Sequence, residues 1–367
     1  MRKLTITFVV CNPDLSGGIR IVADHARCLK EKGHQVHIVA VDNSRTNPRT
    51  MVRSLVKTGR LPASPINTQH FDEAGLDLTL IKRPDGPSTD DFPDADVVIA
   101  TWWETSEWIC NLGPEKGRKV YFIQGYEPLY PGAPDAGRVR ETYRYPFYQI
   151  GVCRWLCEKV EADQSGPGAQ TCTLVENGID LARFRAPERV RGRPPTLGYM
   201  YSSAAFKNPD LAVATLNRLA AQIPDLQFLV FGAQDPIDTH QLPDRTQFIK
   251  RPSQSDIPGL YAMCDAWLVT SDHEGFGLPI IEAMACGTPL ISTHAGISTE
   301  TVTPANGFLC ADRTPEALAN GVQGVLAKSP TAWEALSRNA RTTAERFTWG
   351  RASDAFEAAL YNCVKDR

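Results

Sequence analysis

Two carboxylates, Glu274 and Glu282, spaced E-x7-E, bracket the part of this chain best equipped for chemistry, the segment SDHEGFGLPIIEAMACGTP from Ser271 to Pro289. The apolar run AWLVTS ends at Ser271. A loop with Gly275 and Gly277 follows, and Pro279 suits the first turn of a helix. A strand–loop–helix of this kind aims the backbone N–H groups of Gly275, Phe276, Gly277 and Leu278 at whatever sits above the strand end. The N-terminus of a helix carries about half a positive charge and receives phosphates readily. Glycines there remove side chains that would block a close approach. Glu274, ahead of the helix, reaches past a phosphate toward a sugar. Glu282, within the first helical turns, can accept two hydrogen bonds from a ribose diol. With a helix dipole and a lysine to absorb leaving-group charge, such a site needs no metal. The competing interpretation is a glycine-rich turn with solvated glutamates.

These residues need a scaffold, and the rest of the chain supplies a rhythm of strands and helices. Leu4 to Cys11 reads as a first strand. Ser16-Gly17-Gly18 turns into a helix with apolar positions Ile19, Val22, Ala23, Ala26 and Leu29, which leaves Arg20, Asp24, Arg27 and Lys30 on its surface. Gly33 caps the helix and Gln35 to Val41 completes a βαβ unit. Further strands are expected at 78–81, 96–100, 120–123 and 171–175, with a poorly patterned stretch between Asp42 and Asp77. The stretch 183–195, with five arginines and three prolines, reads as an exposed linker. Beyond it the rhythm restarts, with strands expected at 196–200, 227–231, 266–270 and 289–292, a strand-like Gln247 to Ile249, and helical patterns from Pro315 onward. The expected architecture is α/β, two Rossmann-like domains in series: residues 1–182, a linker 183–195, residues 196–346 and a final helical segment 347–367.

Composition is that of an ordinary globular protein. The 367 residues are 42% hydrophobic and 22% charged, with net charge −3, so nothing points globally to nucleic acid. The first apolar run is too short for a signal or a membrane span, and no later run approaches the roughly 18 residues that spanning requires. A cytoplasmic location follows as an expectation. Among the 10 cysteines only Cys153 and Cys157 lie close together, one helical turn apart, and they read as small buried residues more readily than as a zinc site.

The segment EGFGLPxxEAMACGTP resembles the signature of glycosyltransferase family 4, and the resemblance extends along nearly the whole chain. It implies the GT-B fold, two Rossmann-like domains facing across a cleft, and transfer from a nucleoside-diphosphate sugar with retention of anomeric configuration. Gly17 and Gly18 match the family's N-terminal glycine loop, and Glu176 to Asp180 (ENGID) its approach to the linker. Phe347 to Trp349 resembles the start of a last helix that crosses back to the first domain. The resemblance gives Glu282 the donor ribose, Glu274 the donor sugar, and Lys207 the leaving diphosphate, with no metal or other cofactor. Two departures stand out. The family's arginine after the first strand of the second domain falls here at Ser202, which makes Arg251 a candidate replacement cation. The family's histidine late in the first domain is replaced by Gln124, in YFIQGYEPLY. Glutamine cannot serve as a general base. It fits a same-face mechanism in which the leaving phosphate takes the acceptor's proton.

Other segments carry weaker expectations. Trp102, Trp103, Glu104 and Trp108 follow a strand, where rings can stack on sugar faces and Glu104 can orient an acceptor hydroxyl. Gln124, Tyr126 and Glu127 follow another strand at the end where open α/β sheets bind ligands. Asp94-Ala95-Asp96 spells the D-x-D of metal-dependent transferases, but reads better as a loop before a strand. Arg49, Arg53 and Lys57 recur every four residues beside apolar positions, a pattern suited to a membrane surface or a solvated face. His25 is expected on a surface helix and His34 just beyond its cap. The resulting expectation is a retaining hexosyl- or deoxyhexosyltransferase acting on a glycan or lipid-linked acceptor. Its competitors are a sugar-nucleotide epimerase of similar fold and a catalytically silent glycan-binding subunit.

Overall fold

The structure, a computed structural model, describes residues 2–42, 66–83, 86–130, 136–164, 169–187, 189, 191 and 194–365. The basic Arg49–Lys57 segment lies outside the described residues. Two parallel sheets carry the molecule. Among the described residues the first has seven strands, β1 (Thr5–Cys11), β2 (Gln35–Asp42), β3 (Asp77–Lys82), β4 (Val97–Ala100), β5 (Arg118–Ile123), β6 (Tyr148–Gly151) and β7 (Cys172–Leu174), in the order β3-β2-β1-β4-β5-β6-β7. The second has six, β8 (Thr196–Tyr201), β9 (Gln227–Gly232), β10 (Thr246–Lys250), β11 (Ala266–Val269), β12 (Leu290–Thr293) and β13 (Gly307–Cys310), in the order β10-β9-β8-β11-β12-β13. Both therefore switch direction beside their first strand, where open α/β sheets place ligands. This is the α/β architecture of two Rossmann-like domains.

Strands covered by helices on both faces read as continuous apolar runs. Val97 to Ala100 and Ala266 to Val269 are buried at every position, which is why they are conspicuous in the sequence. Two strands escaped sequence reading. In β6 the run YQIG is broken by Gln149, which is buried and spends its amide on the Tyr143 carbonyl at 2.6 Å. In β13 the run opens on Gly307, where a Cβ would meet the Leu290 carbonyl oxygen at 2.3 Å, so close pairing with β12 demands a residue that weakens the strand pattern.

The helical patterns after Pro315 resolve into helices Pro315–Leu326, Pro330–Ala344 and Trp349–Lys365. Thr314 and Ser329 cap the first two with their side-chain oxygens. The third lies on the first sheet. Ile179 N–H donates to the Phe347 carbonyl at 2.8 Å as the chain crosses, Phe356 stacks 6.1 Å from Phe8, and Glu357 meets His34 at 2.9 Å. His25 is not on a surface: it is fully buried, ringed by Phe122, Trp349 and Phe356 at 5.3, 5.2 and 4.6 Å, with Nε2 3.2 Å from Asn177 Oδ1. The helix Gly17–Glu31 is covered by the returning chain on the side the sequence pattern left open. Burial pushes His25 down to about 4. Among the described residues, no helix is long and apolar enough to cross a membrane.

Candidate functional site

The carboxyl ends of both sheets face a shared cleft of about 1390 Å³. Its second-domain wall includes the loop after β11 and the helix Leu278–Ala285, with Phe206 and Lys207 from the turn after β8 and Tyr261 beside them. Gly277, at φ 88°, makes the left-handed turn into that helix, a conformation other residues adopt only with strain. Among the described residues no acceptor is bonded to the N–H groups of Gly275, Phe276, Gly277 or Leu278. Four unpaired donors at a helix N-terminus favour an anion.

Glu274 is fixed ahead of that helix. Its Oε1 accepts from Lys207 Nζ and from Ser271 Oγ, both at 2.6 Å. Lys207 is itself placed by a short turn after β8, whose carbonyl accepts from Thr270 Oγ1 at 2.9 Å, and its ammonium lies 5.3 Å from the Phe206 ring centre. Glu282 projects from the second helical turn into the same cleft and is buried. Its Oε2 accepts from Tyr261 OH at 2.9 Å, and Oε1 stands 3.7 Å from Arg20 Nη1. Burial raises its carboxyl above the ordinary range, while Arg20, the Tyr261 hydroxyl and Arg183 oppose that shift.

The first-domain wall is assembled from several stretches. Gly17 and Gly18 begin the helix Gly17–Glu31 at the cleft, where a side chain would touch the opposite groups only at ordinary contact distance. A Cβ on Gly17 would come no nearer than 3.8 Å to Leu278, and one on Gly18 no nearer than 3.9 Å to Gln124 Oε1. Gln124 follows β5, and the two domains meet at its backbone: a Cβ on Gly275 would lie 1.7 Å from the Gln124 carbonyl oxygen. Cys153 Sγ donates to the Gly275 carbonyl at 2.9 Å, and Glu300 accepts from the Arg154 N–H at 2.9 Å, two further ties between domains.

Glu127 also lines the cleft, nearly fully buried, with Oε2 accepting from the Trp103 N–H and Tyr121 OH at 2.8 Å each. Burial pushes its carboxyl up to about 8, against the pull of those two donors, so it carries a proton at neutral pH. Beside it, Trp102 stacks on Tyr130 at 6.1 Å, and Tyr130 meets Phe206 of the second domain edge-on at 5.2 Å.

Several residues singled out in the sequence stand elsewhere. Ser202 accepts from the Ala204 N–H in a turn, and Arg251, at φ 48°, donates to the Ala233 carbonyl at 2.8 Å; neither lines the cleft. Trp103 is buried beneath the Arg138 guanidinium, 5.0 Å from its ring centre. Tyr126 is buried with its hydroxyl on Asp163 at 2.6 Å, and Glu104 accepts from Cys11 Sγ at 3.4 Å. It is Trp102 and Tyr130 that face the cavity.

Asp94 and Asp96 sit at the amino end of β4, away from the cleft. Asp94 pairs with Lys116 at 2.9 Å and Asp96 accepts from the Thr5 N–H at 2.8 Å. Among the described residues no three His, Cys, Asp or Glu side chains cluster as metal ligands. Arg20, assigned above to a solvent face, lines the cleft instead, with Asp24, Arg27 and Arg183. The missed signal was positional: a helix that begins on a ligand-approach loop turns its first residues toward the ligand.

With this geometry in hand, comparison with known proteins is informative. The family profile described as glycosyl transferases group 1 matches residues 182–343. The chain is 31% identical to a glycogen synthase of Mycobacterium tuberculosis over 96% of its own length and 92% of that protein's. It is 32% identical to a GDP-mannose-dependent alpha-(1-6)-phosphatidylinositol dimannoside mannosyltransferase of the same species, over 58% of each chain. Among solved structures it is similar to a sucrose-phosphate synthase from Thermosynechococcus elongatus (TM-score 0.73, 18% identity, 100% of both chains). It also resembles Anabaena HepE in complex with UDP and glucose (TM-score 0.72, 18% identity, 98% of this chain and 100% of that one).

Proposed function

The chain belongs to the group 1 glycosyl transferases, the family-4 type with GT-B fold that uses nucleotide sugars, and from that premise we propose a retaining, metal-independent hexosyl- or deoxyhexosyltransferase acting on a hydroxyl acceptor. One observation carries the proposal: Lys207, Glu274, Glu282 and four unpaired N–H groups converge in a single cleft. Glu282 accepts the ribose hydroxyls. The N–H groups of Gly275 to Leu278 and the Lys207 ammonium receive the diphosphate and the charge that develops on it. Glu274, anchored by Lys207 and Ser271, offers its second oxygen to the donor sugar.

In the reaction the C1–oxygen bond to the diphosphate breaks as the acceptor oxygen bonds C1 on the same face. The acceptor's proton passes to the departing phosphate oxygen. That route suits Gln124, which supplies no base. Gln124 is held at the point where the domains touch and lines the cleft beside Gly18, so closure brings its amide over the donor. On the acceptor side, Trp102 and Tyr130 offer ring faces, and protonated Glu127 lies at the wall beneath them without adding negative charge. A glycan or lipid-linked sugar suits these walls. The relative named as a phosphatidylinositol dimannoside mannosyltransferase and the neighbour holding UDP and glucose support this choice of partners.

Proton NMR of products from UDP- and GDP-hexoses with a panel of glycoside acceptors, in EDTA, tests the proposal. It predicts a glycoside with the donor's anomeric configuration. An inverted product, or transfer only when a divalent cation is restored, contradicts it.

A further inference from the structure

Among the described residues the second domain brings one cation, Lys207, to the cleft wall, and that ammonium is engaged by Glu274 at 2.6 Å. The position where the family's motif places an arginine holds Ser202, turned into its own loop. The first domain offers Arg20. It lies in the opening turns of the helix Gly17–Glu31, its side chain is 22% exposed, and its Nη1 stands 3.7 Å from Glu282 Oε1 across the domain boundary. That separation is too long for a direct hydrogen bond and leaves a ribose hydroxyl access to the same oxygen. On its own helix Arg20 is steadied by Asp24, with Nε 3.8 Å from Oδ2.

Resting on the donor assignment above, we infer that Arg20 is a positioning residue for donor capture: a guanidinium from the first domain that holds the ribose-binding carboxylate Glu282 of the second in place, and so ties nucleotide binding to domain closure. Three other groups surround Glu282. Tyr261 OH, from the helix Ile257–Ala262, bonds its other oxygen at 2.9 Å. Arg183, from the segment joining the domains, reaches into the same cleft and is itself tethered to Gln254. Cys286, on the helix that carries Glu282, is a buried thiol. Of the two guanidiniums, only Arg20 comes from the first domain proper, so only its contact is lost when the domains part. Burial raises the Glu282 carboxyl and Arg20 is the strongest influence opposing that rise, so a cleft closed without this guanidinium would leave the buried acid a poorer acceptor for two hydroxyls. Binding and closure then favour each other reciprocally.

The test is calorimetric titration of UDP, GDP and ADP into wild type, R20M, R20K and E282Q between about pH 5.5 and 8.5. For whichever nucleotide wild type binds, R20M weakens binding about tenfold and R20K restores part of it. The acid limb of affinity, where Glu282 takes up a proton, moves to higher pH in R20M, and E282Q lacks the limb. In turnover, R20M raises the donor KM by more than it lowers kcat. Weakened binding in E282Q with wild-type affinity and an unmoved limb in R20M overturns the inference while leaving the donor assignment standing. Unaltered affinity in E282Q, or no binding of any nucleotide to wild type, overturns the donor assignment and the role of Arg20 with it.

Discussion

The two walls of the cleft are built in opposite ways. The phosphate-facing part of the second-domain wall is one contiguous stretch, Glu274 to Glu282, with backbone N–H donors and a carboxylate at each end, and Lys207 and Tyr261 join it from elsewhere in that domain. The first-domain wall takes Gly17, Gly18 and Arg20 from one helix, Trp102 from the loop after β4, and Gln124, Glu127 and Tyr130 from the loop after β5. A site made of backbone groups at a helix N-terminus depends on local chain geometry and can be carried by a short motif. A site made of side chains gathered from several strand ends depends on topology, and each part can change alone. The first kind suits a diphosphate common to many donors; the second suits an acceptor that differs between enzymes.

Removing the second-domain charge should give the largest effect. K207A is expected to lower kcat about 10²- to 10³-fold at saturating donor, because no other cation of the second domain lines the described cleft wall. A loss below tenfold in single-turnover kinetics would mean that first-domain arginines share the leaving-group charge, and the two walls would no longer differ in task.

The first domain also holds a histidine with no exposed surface. His25 has a folded pKa of about 4, below its ordinary 6.5, so the proton binds the unfolded chain more tightly. The stability tied to neutral His25 is present above pH 6.5 and lost as pH falls toward 4, by about 3 kcal/mol at the bottom of that window. Denaturant unfolding of wild type and H25F at both ends of the window checks this. The variant should lose less stability on acidification, and equal losses would place the acid sensitivity elsewhere.

The seam between the walls can be tested alone. G275A puts a methyl 1.7 Å from the Gln124 carbonyl oxygen, so the domains cannot seat. Turnover should fall about 10²-fold while each domain stays folded, as judged by circular dichroism and amide exchange. Near-normal turnover would show that this contact is not made during catalysis. The finest distinction lies within one dipeptide. W102A should raise the acceptor KM about fivefold, whereas W103F, altering a ring packed under Arg138, should leave it within about twofold. The reverse order would return the acceptor wall to the neighbouring ring.

The same contrast explains what could be read from the sequence. The strands and the Glu274–Glu282 segment were legible because apolar runs and glycine-bounded loops express themselves locally. Gln149 in β6 and Gly307 in β13 hid two strands, since a buried amide and a close strand contact both erase the apolar pattern. Arg20 reads as solvent-facing because helical periodicity reports which face meets the first domain's own core and is blind to a second domain opposite. His25 reads as exposed for the same reason, its cover being supplied by Trp349 and Phe356 from the far end of the chain. Trp102 and Trp103 differ by one residue and lie on different sides of the wall, a distinction set by Glu127 fixing the Trp103 N–H.

Thermal unfolding of wild type and E282A with UDP, GDP and ADP, each at high concentration in EDTA, tests the central claim most directly. A nucleotide at about 100 times its dissociation constant adds roughly 2.7 kcal/mol to stability. The donor assignment predicts that one nucleotide raises the wild-type midpoint by several degrees and leaves E282A unmoved. No shift with any nucleotide, or an equal shift in E282A, would contradict it.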